Sequence, residues 1–162
     1  MQSMDDLFEH ELRDIYDAEH KLKGALKKLA TQSKNDPDLQ ELFTNHLRET
    51  EVQIERLEDV FQTIEKKARR QPCKGINGLL EEHASIIKEE RPKGDLLRTV
   101  NIGSALKTEH YEIVSYKGLI NMATELGMDD AISLLEKNLA EEEKAAARLE
   151  QQATRGLPAR AD

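Results

Sequence analysis

The stretch IGSALKTEHYEIVSYKGLI, residues 102–120, decides the fold. Within it Ile102, Leu106, Glu109, Ile113, Tyr116 and Ile120 recur at steps of three and four, the spacing of one face of an α-helix. That face is apolar except near its middle, where Glu109 interrupts it and Glu112 follows three residues later. Ionised carboxylates are almost never buried without partners. A glutamate on a core-facing stripe therefore raises the question of whether other segments bring acids to the same place.

Upstream, Phe8, Leu12, Ile15, Leu22, Leu26 and Leu29 keep the same rhythm with Glu19 in the gap, which predicts helix A over about residues 5–32. Ser3 with Asp6 resembles a capping arrangement, and Asn35-Asp36-Pro37 supplies a turn, a cap and a first-turn proline for helix B. The helix B stripe runs Leu42/Phe43, His46, Glu49/Thr50, Gln53, Leu57, Val60 and Ile64. The basic run Lys66 to Arg70 suits the negative end of that helix's dipole. Residues 71–94 hold Pro72, Pro92, Gly75, Gly78 and Gly94, yet Leu79, Leu80, His83, Ile86 and Ile87 keep a helical period between them, so a crossover with a short helix is expected. Asp95 is the expected cap of helix C, and Leu126-Gly127 its stop. Helix D starts at Asp129-Asp130, carries Ile132, Leu135, Leu139, Glu142, Ala146 and Leu149 on one face, and closes at Gly156 and Pro158. Two tight hairpins, A–B and C–D, joined by a long crossover make an all-α, ferritin-like four-helix bundle with a short fifth helix. The expected division is residues 1–155 for the bundle and 156–162 for a short polar tail.

Composition agrees with that reading and excludes others. The 162 residues fit one domain, aromatic residues make up 4% with no Trp, and Val occurs four times, which favours packed helices over sheets. Against 24 Lys and Arg stand 32 Asp and Glu, a net charge of -8 that disfavours nucleic acid and anionic membrane surfaces as partners. No apolar run approaches a membrane span, and Asp5-Asp6 sits where a signal peptide needs basic and then apolar residues, so a cytoplasmic location is expected. The single cysteine, Cys73, excludes an internal disulfide framework and an all-cysteine zinc site.

Counting from the middle of each tight turn compares heights, because both arms of a hairpin rise about 1.5 Å per residue. Glu19 and Glu49 lie about 15 residues either side of the A–B turn, and Glu112 and Glu142 about 15 either side of Gly127-Met128, with Glu109 one turn further on. Each helix thus brings an acid to mid-bundle. Such carboxylates repel by about 4 kcal/mol per pair at about 4 Å in an effective dielectric near 20, besides losing hydration. Cations or protons must neutralise them. Oxygen-rich donors with an imidazole suit iron, or alternatively manganese, better than soft-ligand metals. The expected metal ligands are Glu19, Glu49, Glu109, Glu112 and Glu142, with His46 as the nitrogen donor, and Tyr16, Thr50, Gln53 and Tyr116 as hydrogen-bond partners behind them. The bundle signature for two iron ions puts Glu-x-x-His on two helices, whereas here His46-x-x-Glu49 is reversed and helix D has no histidine, which leaves a protonated acid cluster as the alternative. His10 and His83 show no constellation; His20, His110, Tyr111 and Cys73 read as surface or packing residues. Gly24, Gly103 and Gly118 are sites where helices could approach closely, within the bundle or at a dimer surface.

Several dispersed motifs resemble the YciE/YciF family of bacterial ferritin-like proteins over nearly the whole chain. They are Leu12-Arg13-Asp14-Ile15-Tyr16-Asp17-Ala18-Glu19, His46-Leu47-Arg48-Glu49-Thr50 with Gln53, Glu55-Arg56-Leu57, Cys73 leading to Gly78-Leu79-Leu80-Glu81-Glu82, and Lys107-Thr108-Glu109-His110-Tyr111-Glu112-Ile113 with Tyr116. Leu126-Gly127 and Leu134-Leu135 to Glu141-Glu142 complete the match. The resemblance implies a ferritin-like bundle, homodimeric, associated with stress response and metal binding. Members of the family often carry an Asp where this chain has Ala146, so the resemblance implies one helix D acid fewer here. The functional expectation is a protein with two iron ions that oxidises Fe(II) with oxygen or peroxide in stress protection. The alternatives are peroxide disproportionation on manganese and a non-enzymatic dimeric scaffold with a metal-free acid cluster.

Overall fold

In the computed structural model, residues 1–155 are described and form five helices, with no strand among them. They are α1 Met4–Gln32, α2 Pro37–Thr63, α3 Lys74–Glu90, α4 Gly94–Glu125 and α5 Asp129–Ala153. The expected closure at Gly156 and Pro158 and the polar tail lie outside the described residues.

The first hairpin forms as its sequence signals dictate. The Ser3 hydroxyl accepts from the Asp6 amide at 3.1 Å, and the Asp36 carboxylate accepts from the Leu39 amide at 3.2 Å with Pro37 opening α2. Each bond satisfies an amide that the first helical turn leaves without a partner. Gly127, at φ +68°, takes the left-handed conformation that ends α4, and Asp129 and Asp130 fill the first turn of α5. Helix α4 instead begins at Gly94 with Lys93 as its cap; Asp95 lies inside the first turn and does not cap it.

Helix α1 packs on α2, α2 on α5, α5 on α4 and α4 on α1, while α3 lies mainly against α4 and touches α1 less. The whole expected α1 stripe is buried, Glu19 included. The α4 face is wider than expected: Ile102, Glu109, Ile113 and Tyr116 of the expected stripe are buried and Leu106 and Ile120 half-buried, while Ala105, Thr108, Glu112 and Leu119 are buried beside them. The reason is α3, which covers α4 on a second side, so that a single stripe no longer describes its burial.

Helix α2 also stops sooner than the basic run suggested, at Thr63, and residues 64–73 form a connection. Asp17, buried in α1, holds that connection: its carboxylate accepts from Arg70 Nε and from the Cys73 amide, both at 2.8 Å, and pairs with Lys21. Arg70 is therefore a tie across the fold. Cys73 caps α3, its buried sulfur accepting from the Ile76 amide at 3.4 Å. Gly24, Gly103 and Gly118 have open space where a side chain would start, so they mark no close helix contact within the chain. The close approach is at Gly75, where any Cβ would collide with the Tyr111 ring.

Candidate metal centre

A polar layer divides the interior into two apolar clusters. One gathers Phe8, Leu12, Ile15, Leu57, Phe61, Leu119 and Leu135; the other gathers Leu26, Leu29, Leu39, Phe43, Ile102 and Leu149. Between them lie Glu19 from α1, His46 from α2, Glu109 and Glu112 from α4, and Glu142 from α5, each at most 4% exposed. The heights counted from the two turns predict this convergence, because register within a hairpin follows from its turn alone.

Four of these residues, His46, Glu109, Glu112 and Glu142, offer ligand atoms that all lie within 4.8 Å of one another. His46 Nε2 is 3.2 Å from Glu109 Oε2 and 3.5 Å from Glu142 Oε2, near enough for ionic attraction but not aligned as hydrogen bonds. Its other ring nitrogen, Nδ1, lies 3.3 Å from Glu49 Oε2. Glu49 is thus placed outside the four-residue group, with its side chain 28% exposed, where it orients the imidazole. Glu19 also flanks the group: its Oε1 accepts from the Tyr116 hydroxyl while its Oε2 is buried without a donor.

The layer is held by polar side chains. Gln53 Nε2 donates to Glu142 Oε1 at 2.5 Å and to Glu141 Oε2 at 3.1 Å, and Arg56 grips Glu141 through two bonds at 2.7 and 2.9 Å. Asn138 Nδ2 donates to the Tyr116 oxygen at 3.1 Å and to the Gln53 carbonyl at 3.3 Å. Asn138 and Arg56 were not among the expected partners; Asn138 falls on the α5 face one turn before Glu142, and that spacing was the available signal. Tyr16 points elsewhere, donating to Glu58 at 2.8 Å. Outside the layer, His83 Nε2 meets Asn101 Oδ1 at 2.9 Å, His10 meets Gln71, and Tyr111 donates to Asp14 at 2.9 Å while touching Cys73 Sγ at 3.1 Å.

Crowded carboxylates out of water titrate abnormally. Burial pushes Glu112 well above the usual carboxylate range, and Glu142, Glu19 and Glu109 add to the shift by repulsion. Burial likewise raises Glu142 well above that range, against the attraction of His46. Glu19 is pushed up to about 7, burial outweighing the Tyr116 hydrogen bond. For His46 burial works downward, but the carboxylates of Glu109 and Glu142 outweigh it and hold the imidazole well above its usual value. The hydrogen bond from His46 lowers Glu49.

A cation fits this layer. Buried oxygens of Glu19, Glu109 and Glu142 have no hydrogen-bond donor, and three carboxyl groups with one imidazole form a hard donor set.

An all-helical chain with a buried glutamate and histidine layer of this kind matches one family over residues 3–162, the family described as "Domain of unknown function (DUF892)", and the chain belongs to it. Protein YciF of Escherichia coli (strain K12) is 41% identical over 146 residues, which cover 90% of this chain and 86% of that protein. The crystal structure of the E. coli stress protein YciF superposes with a TM-score of 0.89 at 38% identity, covering 95% of this chain and 96% of that one. A structure of YcfI from Rhodopseudomonas palustris, described with a suggested structural role, superposes with a TM-score of 0.88 at 40% identity and covers 92% and 94% of the two chains. Among the described residues no helix is long and apolar enough to cross a membrane.

Proposed function

We propose that the chain is a ferritin-like four-helix bundle, homodimeric in the cytoplasm, that binds iron at the polar layer and oxidises Fe(II) with oxygen or peroxide in protection against stress. The observation that carries this reading is a set of buried carboxylate oxygens without donors inside a group of four ligand atoms within 4.8 Å. His46, Glu109, Glu112 and Glu142 would hold one ion, and Glu19 with Glu112 would supply oxygens to a second. Iron, when bound, supplies one-electron redox chemistry toward oxygen or peroxide; manganese is the alternative. The chain's own residues prepare the site. Glu49 fixes the His46 ring through Nδ1 so that Nε2 faces Glu109 and Glu142. Gln53 holds Glu142 and Tyr116 holds Glu19, between apolar clusters on either side of the layer. With Ala146 one turn beyond Glu142, α5 has no acid at that position of the layer.

Purified apoprotein loaded anaerobically with Fe(II) tests this reading. Saturable uptake of up to two ions per chain, followed by oxygen consumption faster than Fe(II) in buffer alone, is the expected result. Uptake well below one ion per chain, or oxidation at the buffer rate, overturns it. Sedimentation reads the dimer separately.

A second reading, a non-enzymatic scaffold with a protonated acid cluster, draws support from Gln53 and Tyr116, which already donate into the layer. It predicts that Glu142→Gln leaves stability unchanged or higher, with no metal-dependent shift in either protein.

A further inference from the structure

Between α1, α3 and α4 a cavity of about 360 Å³ runs from the surface down to the polar layer. It exists because α3 leans on α4 and packs less against α1. Small residues keep it open: Gly24 on α1 and Ala84 on α3 line it, and a side chain starting at Gly24 would meet nothing within 4 Å. Its walls are mainly hydrocarbon, from Leu22, Leu26 and Leu29 on one side and Leu80 and Ile87 on the other. Glu109, Glu112 and His46 face it at the inner end.

The size and the charge of this cavity restrict what it can take. At about 30 Å³ per water-sized group it has room for about twelve, more than twice the roughly 150 Å³ that admits benzene to an apolar cavity. Oxygen or a single metal ion would leave most of such a space unfilled. Two exposed cations line it as well, Lys28 and Lys88, and neither has an ion-pair partner among the described residues. The third, Lys21, is already engaged with Asp17 and the Cys73 carbonyl. Free cations at the exposed end favour an anionic head there, repulsion from Glu109 and Glu112 keeps that head from the buried end, and the hydrocarbon chain lies along the leucine and isoleucine walls.

We propose that this cavity binds a small organic molecule with one anionic head and a medium-length hydrocarbon chain, of the class of a free fatty carboxylate. The walls and the lysines carry this proposal, and no bound ion is needed for it. Testing it on metal-free protein therefore separates its failure from failure of the metal reading.

Calorimetric titration with decanoate, with decyltrimethylammonium as the oppositely charged control, tests the proposal. Decanoate is expected to bind saturably at one site per chain, about tenfold tighter than the cation. Filling the cavity with Gly24→Leu and Ala84→Leu together should weaken decanoate by at least about tenfold, and Lys28→Glu with Lys88→Glu should abolish the preference for the anion. The lysine variant alters only exposed positions and decides the matter should the filled variant fold poorly. Absence of saturable binding, decanoate affinity unchanged in the folded filled variant, or a cation bound as tightly as decanoate overturns the proposal.

Discussion

Around Phe61, Leu57, Ile15 and Leu135 the helices meet through a buried apolar cluster, whereas further along the same helices they meet through Glu19, Glu109, Glu112, Glu142 and His46. The two regions are equally buried but opposite in energetics. The apolar cluster stabilises by removing hydrocarbon from water, with Tyr16 set edge-on to Phe61 at 5.5 Å between ring centroids. The acidic layer removes carboxylates from water and sets them beside one another, which opposes folding until protons or a cation arrive. One region makes the fold; the other uses the fold's stability to hold a site.

The largest effect that separates the two regions is Phe61→Ala. Truncating this fully buried ring should cost about 3–5 kcal/mol. In denaturant unfolding the loss should be equal with and without added metal, because the ring lies outside the polar layer.

The pH dependence of metal-free protein sharpens the contrast from the other side. Glu19 rises from 4.5 to about 7 on folding, so the native state keeps a proton that the unfolded chain releases. Stability from this group is complete below pH 4.5 and is lost as pH rises toward about 7. The raised Glu112, Glu142 and His46 act with the same sign. Asp17 acts oppositely. Burial raises its carboxyl, but Lys21, the Cys73 amide and Arg70 outweigh that and leave it below 3.8, so its contribution is lost only as pH falls through that lowered value. Thermal unfolding of chelator-treated protein should therefore show stability declining from about pH 5 to pH 7.5, and a separate loss below about pH 4 that Asp17→Asn removes.

A smaller effect is expected from Gly75→Ala, where the added methyl must displace the Tyr111 ring, at about 1–3 kcal/mol read by the same unfolding assay. The smallest is Glu112→Gln. Removing a carboxyl that must keep a proton to stay buried beside Glu142, Glu19 and Glu109 should raise metal-free stability at pH 7 by about 1 kcal/mol, while weakening metal uptake. A loss of stability in that variant would place the carboxylate among the groups that hold the fold.

The two regions also differ in how much of each was legible in the sequence. The acidic layer was readable because short turns set the register of each hairpin, so Glu19, Glu112 and Glu142 could be placed at one height by counting. The α1 stripe was readable because that helix shows one face to the core. What failed was whatever depends on contacts distant in sequence. The second buried side of α4 follows from α3 lying over it, and neither helix's period carries that information. Arg70 and Asp17 are 53 residues apart, so a run of basic residues read as a helix end became a tie to α1. Glu49 lies at the right height but at the edge of the layer, since counting gives a residue's level and not its angle around the axis.

Neutralisation of the acidic layer by a bound cation is tested most directly by thermal unfolding at pH 7 during anaerobic titration of metal-free protein with Fe(II). The melting temperature should climb and saturate with added Fe(II), and the climb should be abolished by replacing Glu109 and Glu142 with Gln, because only an ion bound to the native state stabilises in this way. A melting temperature indifferent to Fe(II) and Mn(II), or one that rises equally in the doubly substituted protein, would contradict it.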